Sequence, residues 1–493
     1  MQTLSHKLII FCFMTLLLIS LVQSTLVKSG NILRVPQEYP TIQSALNNAK
    51  MGDTIIISNG IYHEDVIFLT SRLNNVILMG SDNTILEGTI EITGETSNVT
   101  IKNIIIRTGA IHISGNGTII DGVKIFDSGV GIKIGASNIK IINTHFNNVG
   151  HSIETYELPS WFEKPRENLM IDNVVINNAS LSIHIEDYKD IIISRLKINN
   201  CDSGLLIASR FNETNIELKE LNITCNIEGI HAKIFGNIKI SNIYLRGGIN
   251  GIIIESEDPE RRSNEVIINE TTVENFKVNG ISITSEIATL TNLKIFNNTY
   301  GLNLETPKFT ITKSSFIKNG AKTYALSIGQ ATYGLIYLNE FIDNGYDITY
   351  RGSLEKNIKL NSETKLSYTY GGKNLISYLG NYWSKNTECR DIDNNGICDI
   401  PYTTYIAYKL TLTDYYPLAR PLNYYKIITI TPTSTITTTS MTTTITPTTM
   451  TTIPTTPTST TTTTTTYDYT TLVIGAIILI IIAIIAFLIL RKH

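Results

Sequence analysis

One phrase recurs from about Gly88 to Tyr350 and limits what this chain can fold into. A glycine or other small residue comes first, then an aliphatic, a free position and a second aliphatic. It opens as Gly88-Thr-Ile90-Glu-Ile92 and Ala110-Ile111-His-Ile113. It runs on through Gly131-Ile132-Lys-Ile134, Ser182-Ile183-His-Ile185 and Gly204-Leu205-Leu-Ile207 to Asp347-Ile348-Thr-Tyr350. The first aliphatics fall at 90, 111, 132, 153, 183, 205, 230, 252, 281, 302, 326 and 348. A short alternating strand that returns with a period of about 22 residues cannot bury its apolar side alone, whereas stacking on the next copy does so. The repeat predicts an all-β, single-stranded parallel β-helix of about 12 rungs, a rod of roughly 55–60 Å at about 4.8 Å per rung.

Both ends of the chain carry membrane signals. Lys7 precedes an apolar run to Val22, and Val22-Gln-Ser24 offers a cleavage site, so 1–24 reads as a secretory signal peptide. Residues 471–490 form an uncharged apolar run long enough to cross a bilayer as a helix, and the basic tail 491–493 orients it with its C-terminus cytoplasmic. Between Thr429 and Thr466, 25 of 38 residues are threonine and none is charged. That composition cannot build a core, and 426–470 reads as a disordered, O-glycosylated stalk. The expected location is therefore the cell membrane, single-pass, with the ectodomain outside. A net charge of −3 with no basic stripe argues against nucleic acid as a partner.

Upstream of the repeat, 25–87 supplies a cap and the first coils. Thr41 can cap a short helix with an apolar face of Ile42, Ala45, Leu46 and Ala49, and Thr54 to Ile57 starts a strand. The run Tyr39-Pro-Thr-Ile-Gln43 resembles the N-terminal cap of pectin-lyase-like β-helices, which implies a right-handed coil plugged by that helix. The rungs continue over 88–352, and a tyrosine-rich C-terminal cap follows over 353–425. There, Gly380-Asn-Tyr-Trp-Ser384, Cys389-Arg-Asp-Ile-Asp-Asn-Asn-Gly-Ile-Cys-Asp-Ile-Pro-Tyr402 and Asp414-Tyr-Tyr-Pro-Leu418 occur in order. This trio resembles the NosD-like branch, which implies an archaeal surface protein related to periplasmic copper-maturation factors.

Rung spacing places particular side chains. Cys201 and Cys225 fall one rung apart at the same turn position, within reach of a disulfide. With Cys389 and Cys398 they make an even set for an oxidising compartment. Asn143, Asn173, Asn242 and Asn292 share one turn position and should stack as an asparagine ladder. N-glycosylation sequons start at Asn98, Asn116, Asn178, Asn212, Asn222, Asn269 and Asn297.

Three groupings can carry chemistry. Asp391, Asp393, Asn395, the Ile397 carbonyl and Asp399 repeat the oxygen spacing of an EF-hand-type calcium loop, with Tyr402 where a bidentate Glu would stand. His112, His184 and His231 share one outward column, but gaps of two and three rungs, about 10 Å or more, argue against copper there. Enlarged loops after that sheet gather Tyr156, Trp161, Phe162, Arg166, Tyr188, Arg210, Phe211, Arg261 and Arg262 on one edge, a composition that suits glycan rings or a cell-surface or surface-layer protein. Glycoside hydrolysis needs two nearby carboxylates, for which Glu154 and Glu186 come nearest, yet the motifs of polygalacturonase-like hydrolases, pectate lyases and pectin methylesterases are missing. Binding outweighs catalysis on these residues, with a polysaccharide lyase or hydrolase and a NosD-like copper-handling protein as the alternatives.

Overall fold

The computed structural model describes residues 30–428 apart from 257, 259–260, 352–356 and 408–409. The expected signal peptide, the membrane helix and the expected stalk beyond residue 428 lie outside the described residues, whereas Lys426–Ile427, expected in the stalk, pairs as a strand with Tyr368 and Thr369 of the C-terminal cap. Among the described residues no helix is long and apolar enough to cross a membrane.

The described chain winds as an all-β parallel solenoid of about 15 turns. The phrase sets the register as its spacing requires. From Val66 through Ile90, Ile111, Ile132, Ile153, Ile183, Leu205, Ile230, Ile252, Ile281, Leu302 and Leu326 to Ile348, each first aliphatic pairs with the next. All are buried in one core that runs the length of the coil. The small residue ahead of them has a steric cause: a Cβ on Gly204, Gly229, Gly251 or Gly280 would run into the carbonyl of the glycine one turn on.

The expected 12 rungs count only turns that carry the phrase, and this number is corrected upward. Strand Ile32–Val35 and the turn over 54–68 precede them, and Ile358–Lys359 with Tyr382–Trp383 follows. The first turn lacks the phrase because the helix Ile42–Asn48 follows its strand, and the second carries only a variant of it, Asp65-Val66-Ile-Phe68, in register with Ile90 and Ile92.

That helix closes the first end. Thr41 and Ser44 form a capping box, and Ile42, Ala45, Leu46 and Ala49 are wholly buried. The backbone N–H groups of Ile42 and Gln43 donate to the two Glu64 oxygens at 2.9 Å each. Gln43 then acts as a substitute strand: its Oε1 accepts from Ile67 N at 2.7 Å and its Nε2 donates to Ile67 O at 3.4 Å. An open strand edge is thereby covered.

At the far end, Phe316, Phe341 and Trp383 stack with centroids 5.0 and 4.5 Å apart. The disulfide Cys389–Cys398 is formed, with Cα atoms 5.0 Å apart.

Two expectations about stacked side chains need correction. Cys201 and Cys225 do pair in register, but both are free, buried thiols rather than a bridge. Side chains at one register on parallel strands point the same way, so their Cβ atoms stay a strand spacing apart, wider than the Cβ separation of about 3.8 Å that a disulfide prefers. Each sulfur faces a backbone carbonyl instead, Thr224 O at 3.7 Å and Gly247 O at 3.8 Å. Burial pushes both thiols up, Cys225 to about 12.

The asparagine ladder is short. Asn173 donates to Asn143 at 2.7 Å, but Arg195, Glu220 and Glu270 hold the same left-handed turn in the rungs around Asn242 and Asn292. The conformation repeats; the residue does not. A buried series that the sequence reading missed runs Asn298, Asn319, Asn344, each Oδ1 accepting the previous backbone N–H at 3.0 and 2.9 Å.

Candidate functional site

The outward face of the phrase-bearing sheet and the loops beyond it form the candidate site. The loop after strand His145–Thr155 leaves the coil at Tyr156 and rejoins it at Arg166. Arg166 is only 7% exposed. Its Nη2 donates to Tyr156 O at 2.6 Å and its Nη1 to Glu186 O at 3.2 Å, so one side chain ties both ends of the loop. The guanidinium lies 5.6 Å from the Tyr188 ring, and Tyr188, wholly buried, donates to Ala136 O at 2.5 Å. Burial holds the Arg166 pKa down and the Tyr188 pKa up.

Arg210 clamps the loop from two turns on. It donates to Leu158 O at 3.2 Å and Pro159 O at 3.0 Å, pairs with Asp187 at 3.5 Å and covers Phe211 at 5.1 Å. Three residues expected to touch a ligand, Arg166, Tyr188 and Arg210, therefore have their polar groups turned to the protein itself. Sequence gives the loop's length but not which side chains turn inward.

What the clamps present is aromatic. Trp161 is 77% exposed and Phe162 48%, and Tyr156, where the loop leaves the rod, carries Lys133 Nζ 4.6 Å over its ring. Below the crest is a cleft of about 500 Å³ lined by Glu163, Lys164, Lys189, Arg210, Phe211 and Arg261. Arg261 covers Phe235 at 4.2 Å and donates to Asn212 at 2.8 Å. Arg262 points elsewhere, to Glu305 O at 3.1 Å and Gln330 Oε1 at 3.3 Å, so it does not join that cleft.

A second cleft of about 430 Å³ includes Lys133, Glu154, Tyr156 and His184. Glu154 takes Lys133 Nζ at 2.8 Å and His151 Nδ1 at 2.7 Å, and Glu186 takes His184 Nε2 at 3.0 Å. Burial would push the Glu154 carboxyl up, but hydrogen bonds and charge from Lys133 and His151 outweigh it and hold it below the usual range. His151 was missed from sequence. The signal was available, since an acid and a histidine three apart occur in two rungs, His151/Glu154 and Glu228/His231.

The histidine column and the C-terminal Asp/Asn loop are the two candidate metal sites. His231 sits between Glu228 at 3.1 Å and Glu255 at 3.0 Å, apart from His112 and His184. In the C-terminal loop, Asp391 accepts N–H bonds from Asn395 and Gly396 at 2.9 and 3.0 Å, and Asp393 accepts Asn395 Nδ2 at 2.7 Å. Ile397 N donates to Asn395 Oδ1 at 2.7 Å, and Asp399 accepts Ile392 N at 2.9 Å. With those bonds made, no group of three His, Cys, Asp or Glu among the described residues is placed to hold a metal.

The sequon asparagines are not equivalent. Asn178 and Asn297 donate Nδ2 to neighbouring turns, at 3.2 and 2.8 Å. Asn116, Asn212 and Asn269 accept through their oxygens, Asn98 holds a left-handed turn, and Asn222 stands exposed on a strand.

Fold and site together define a β-solenoid protein with an exposed aromatic loop. A family model described as periplasmic copper-binding protein (NosD) matches residues 211–388. A PL6 alginate lyase in complex with trisaccharide is 13% identical over 72% of this chain and 92% of that one, with a TM-score of 0.36. The catalytic domain of a GH87 α-1,3-glucanase in complex with tetrasaccharides is 11% identical over 68% of each chain, with a TM-score of 0.36. A periplasmic alginate epimerase is 12% identical over 62% of this chain and 76% of that one, with a TM-score of 0.34. Likeness at that level carries nothing about this chain's chemistry. No curated protein matches it in sequence.

Proposed function

We propose that this is a membrane-anchored extracellular solenoid that binds carbohydrate along the edge formed by Tyr156, Trp161 and Phe162. The observation that carries the reading is Trp161, 77% exposed on a loop that two arginines fix to the rod. An indole held in water without an apolar partner forgoes burial worth about 2 kcal/mol, and a pyranose C–H face supplies that partner. Lys164, Glu163 and Lys189 beside it offer bonds to sugar hydroxyls. The signal peptide, threonine stalk and apolar C-terminal run belong to the same proposal, since they place the rod outside the cell.

The Glu154 carboxyl does not suit the acid role in glycoside hydrolysis. A glycosidase acid keeps its proton near neutral pH through a raised pKa, and Glu154 is shifted the other way.

The test uses the full chain in mild detergent on sensors coated with hydroxyethylcellulose or alginate. Trp161→Ala with Phe162→Ala is expected to weaken binding to the retained polymer about tenfold or more. Unchanged binding overturns the loop as the site, and retention of protein partners alone would favour a surface-layer role.

For the Asp391–Asp399 loop we propose calcium, supported by oxygen donors at alternate positions and by Gly396 in a left-handed turn. Adding calcium to chelator-treated protein is expected to raise the melting temperature by several degrees, as ligand binding to the native state requires. Superimposable melts overturn it.

A further inference from the structure

The sheet that carries the phrase has an outward column three residues ahead of the histidine column. Going along the rod it holds Glu228, Asn250 and Asn279, and then three tyrosines, Tyr300, Tyr324 and Tyr346. The register that pairs Leu302 with Leu326 sets Tyr300 level with Tyr324, and Tyr324 pairs directly with Tyr346. The Tyr324 and Tyr346 rings lie 5.5 Å apart, tilted by 38°. Tyr300 is 38% exposed and Tyr346 57%. Their hydroxyls make no hydrogen bond among the described residues. The hydroxyls of Tyr188, Tyr244, Tyr333 and Tyr368, by contrast, each donate to a carbonyl or carboxylate.

We propose that Tyr300, Tyr324 and Tyr346 form a second saccharide-binding strip, which takes an extended, uncharged polysaccharide lying along the rod axis. The inference rests on the carbohydrate reading of the Trp161 loop but concerns a different surface, some six turns or roughly 30 Å away. Three aromatic rings, repeated at the strand spacing of about 4.8 Å, form a ladder with the dimensions of a chain of pyranose rings, which advances by a similar step per residue. Each ring offers a face for stacking and each free hydroxyl a bond to a sugar hydroxyl. The next outward column carries Asn303 and Ser327, both uncharged and both able to donate and accept. The residues just ahead of the three tyrosines are Thr299, Thr323 and Gly345, and the exposed aliphatics of that neighbouring column, Ile227, Ile249 and Val278, lie on the preceding turns. A protein partner would want a contiguous apolar centre, whereas a narrow aromatic track with an amide and hydroxyl border fits a sugar chain. The charges at its border are paired: Arg351, which donates to Asn303, faces Glu305 at 3.0 Å, and Lys385, which donates to Gly345 O, faces the buried Asp347 at 3.5 Å.

The test measures the full chain in mild detergent on hydroxyethylcellulose and alginate sensors. Four proteins are compared: wild type, Tyr300→Ala/Tyr324→Ala/Tyr346→Ala, the corresponding triple phenylalanine variant, and Trp161→Ala/Phe162→Ala. The triple alanine variant is expected to lose about tenfold or more in affinity for hydroxyethylcellulose at an unchanged melting temperature, with the phenylalanine variant within about threefold of wild type. If the triple alanine variant binds like wild type while Trp161→Ala/Phe162→Ala loses binding, the strip is overturned and the loop reading stands. The reverse pattern supports the strip and overturns the loop. Wild type that binds alginate and not hydroxyethylcellulose overturns the strip, and wild type that binds neither polymer overturns both.

Discussion

Asp414→Ala is expected to release the C-terminal cap, at a cost of about 3–5 kcal/mol, because it leaves several buried donors without an acceptor. Asp414 is wholly buried. Its Oδ2 accepts from Trp383 Nε1 at 2.9 Å, Asn381 N at 2.8 Å and Asn381 Nδ2 at 3.4 Å, and its Oδ1 accepts from Tyr416 N at 3.0 Å. Asn381 in turn accepts Asn339 N at 3.1 Å and donates to Ile336 O and Leu360 O at 2.8 and 2.7 Å, so the carboxylate anchors the last turn of the coil. A Cβ at Gly380 would strike the same carboxylate, which accounts for the glycine that opens the Gly380–Ser384 motif. Thermal unfolding followed by circular dichroism reads the loss, and a melt like that of wild type would show the cap held by other contacts.

The same residue sets a pH dependence. Burial pushes the Asp414 carboxyl up to about 7, against the pull of the Trp383, Asn381 and Tyr416 N–H groups. Unfolded, it releases its proton near 3.9. Between about pH 4 and 7 the unfolded state therefore binds fewer protons than the native state, and this group's contribution to stability falls as pH rises through that window, then levels off. Asp414→Asn cannot ionise, so its melting temperature is expected to lack this slope. Comparison with wild type at each pH isolates the effect from the other carboxylates.

The register was legible in the sequence because each rung spells out its own geometry: a small residue where carbonyls crowd, and aliphatics where side chains enter the core. The turn count fell short where the chain solves the same problem differently. Ile42, Ala45 and Leu46 fill the bore from a helix, and Gln43 imitates a strand edge that no periodic pattern announces. The trio of C-terminal motifs was visible as words. That they form one lock, with Trp383 in the aromatic stack and Asp414 beneath it, depends on contacts 31 to 33 residues apart. For the candidate site, composition located the loop but could not divide it. Trp161 and Phe162 face water, whereas Arg166 and Tyr188 are buried, because a guanidinium can satisfy several carbonyls at once. Stacked positions also mislead when conformation repeats without chemistry, as at Arg195 and Glu220.

That division of labour makes Arg166 the other residue whose loss should be felt far beyond its own contacts. Arg166→Ala is expected to destabilise the protein by about 3 kcal/mol, since the carbonyls of Tyr156 and Glu186 lose a charged donor inside the fold. It should also lower polysaccharide affinity by about as much as removing Trp161 and Phe162, about tenfold, although Arg166 touches no ligand. A loop freed at its root must be ordered again on binding, and that ordering opposes association. Arg166→Lys keeps the charge but has no planar fork to reach both carbonyls, so an intermediate loss is expected. Arg210→Ala removes a partly exposed clamp and should cost less than Arg166→Ala. Limited digestion with chymotrypsin separates loosening from lost contact, because Tyr156, Trp161 and Phe162 become cleavable only when the loop leaves the rod. Protease resistance together with wild-type affinity in Arg166→Ala would mean that Arg210 alone holds the aromatic crest in place.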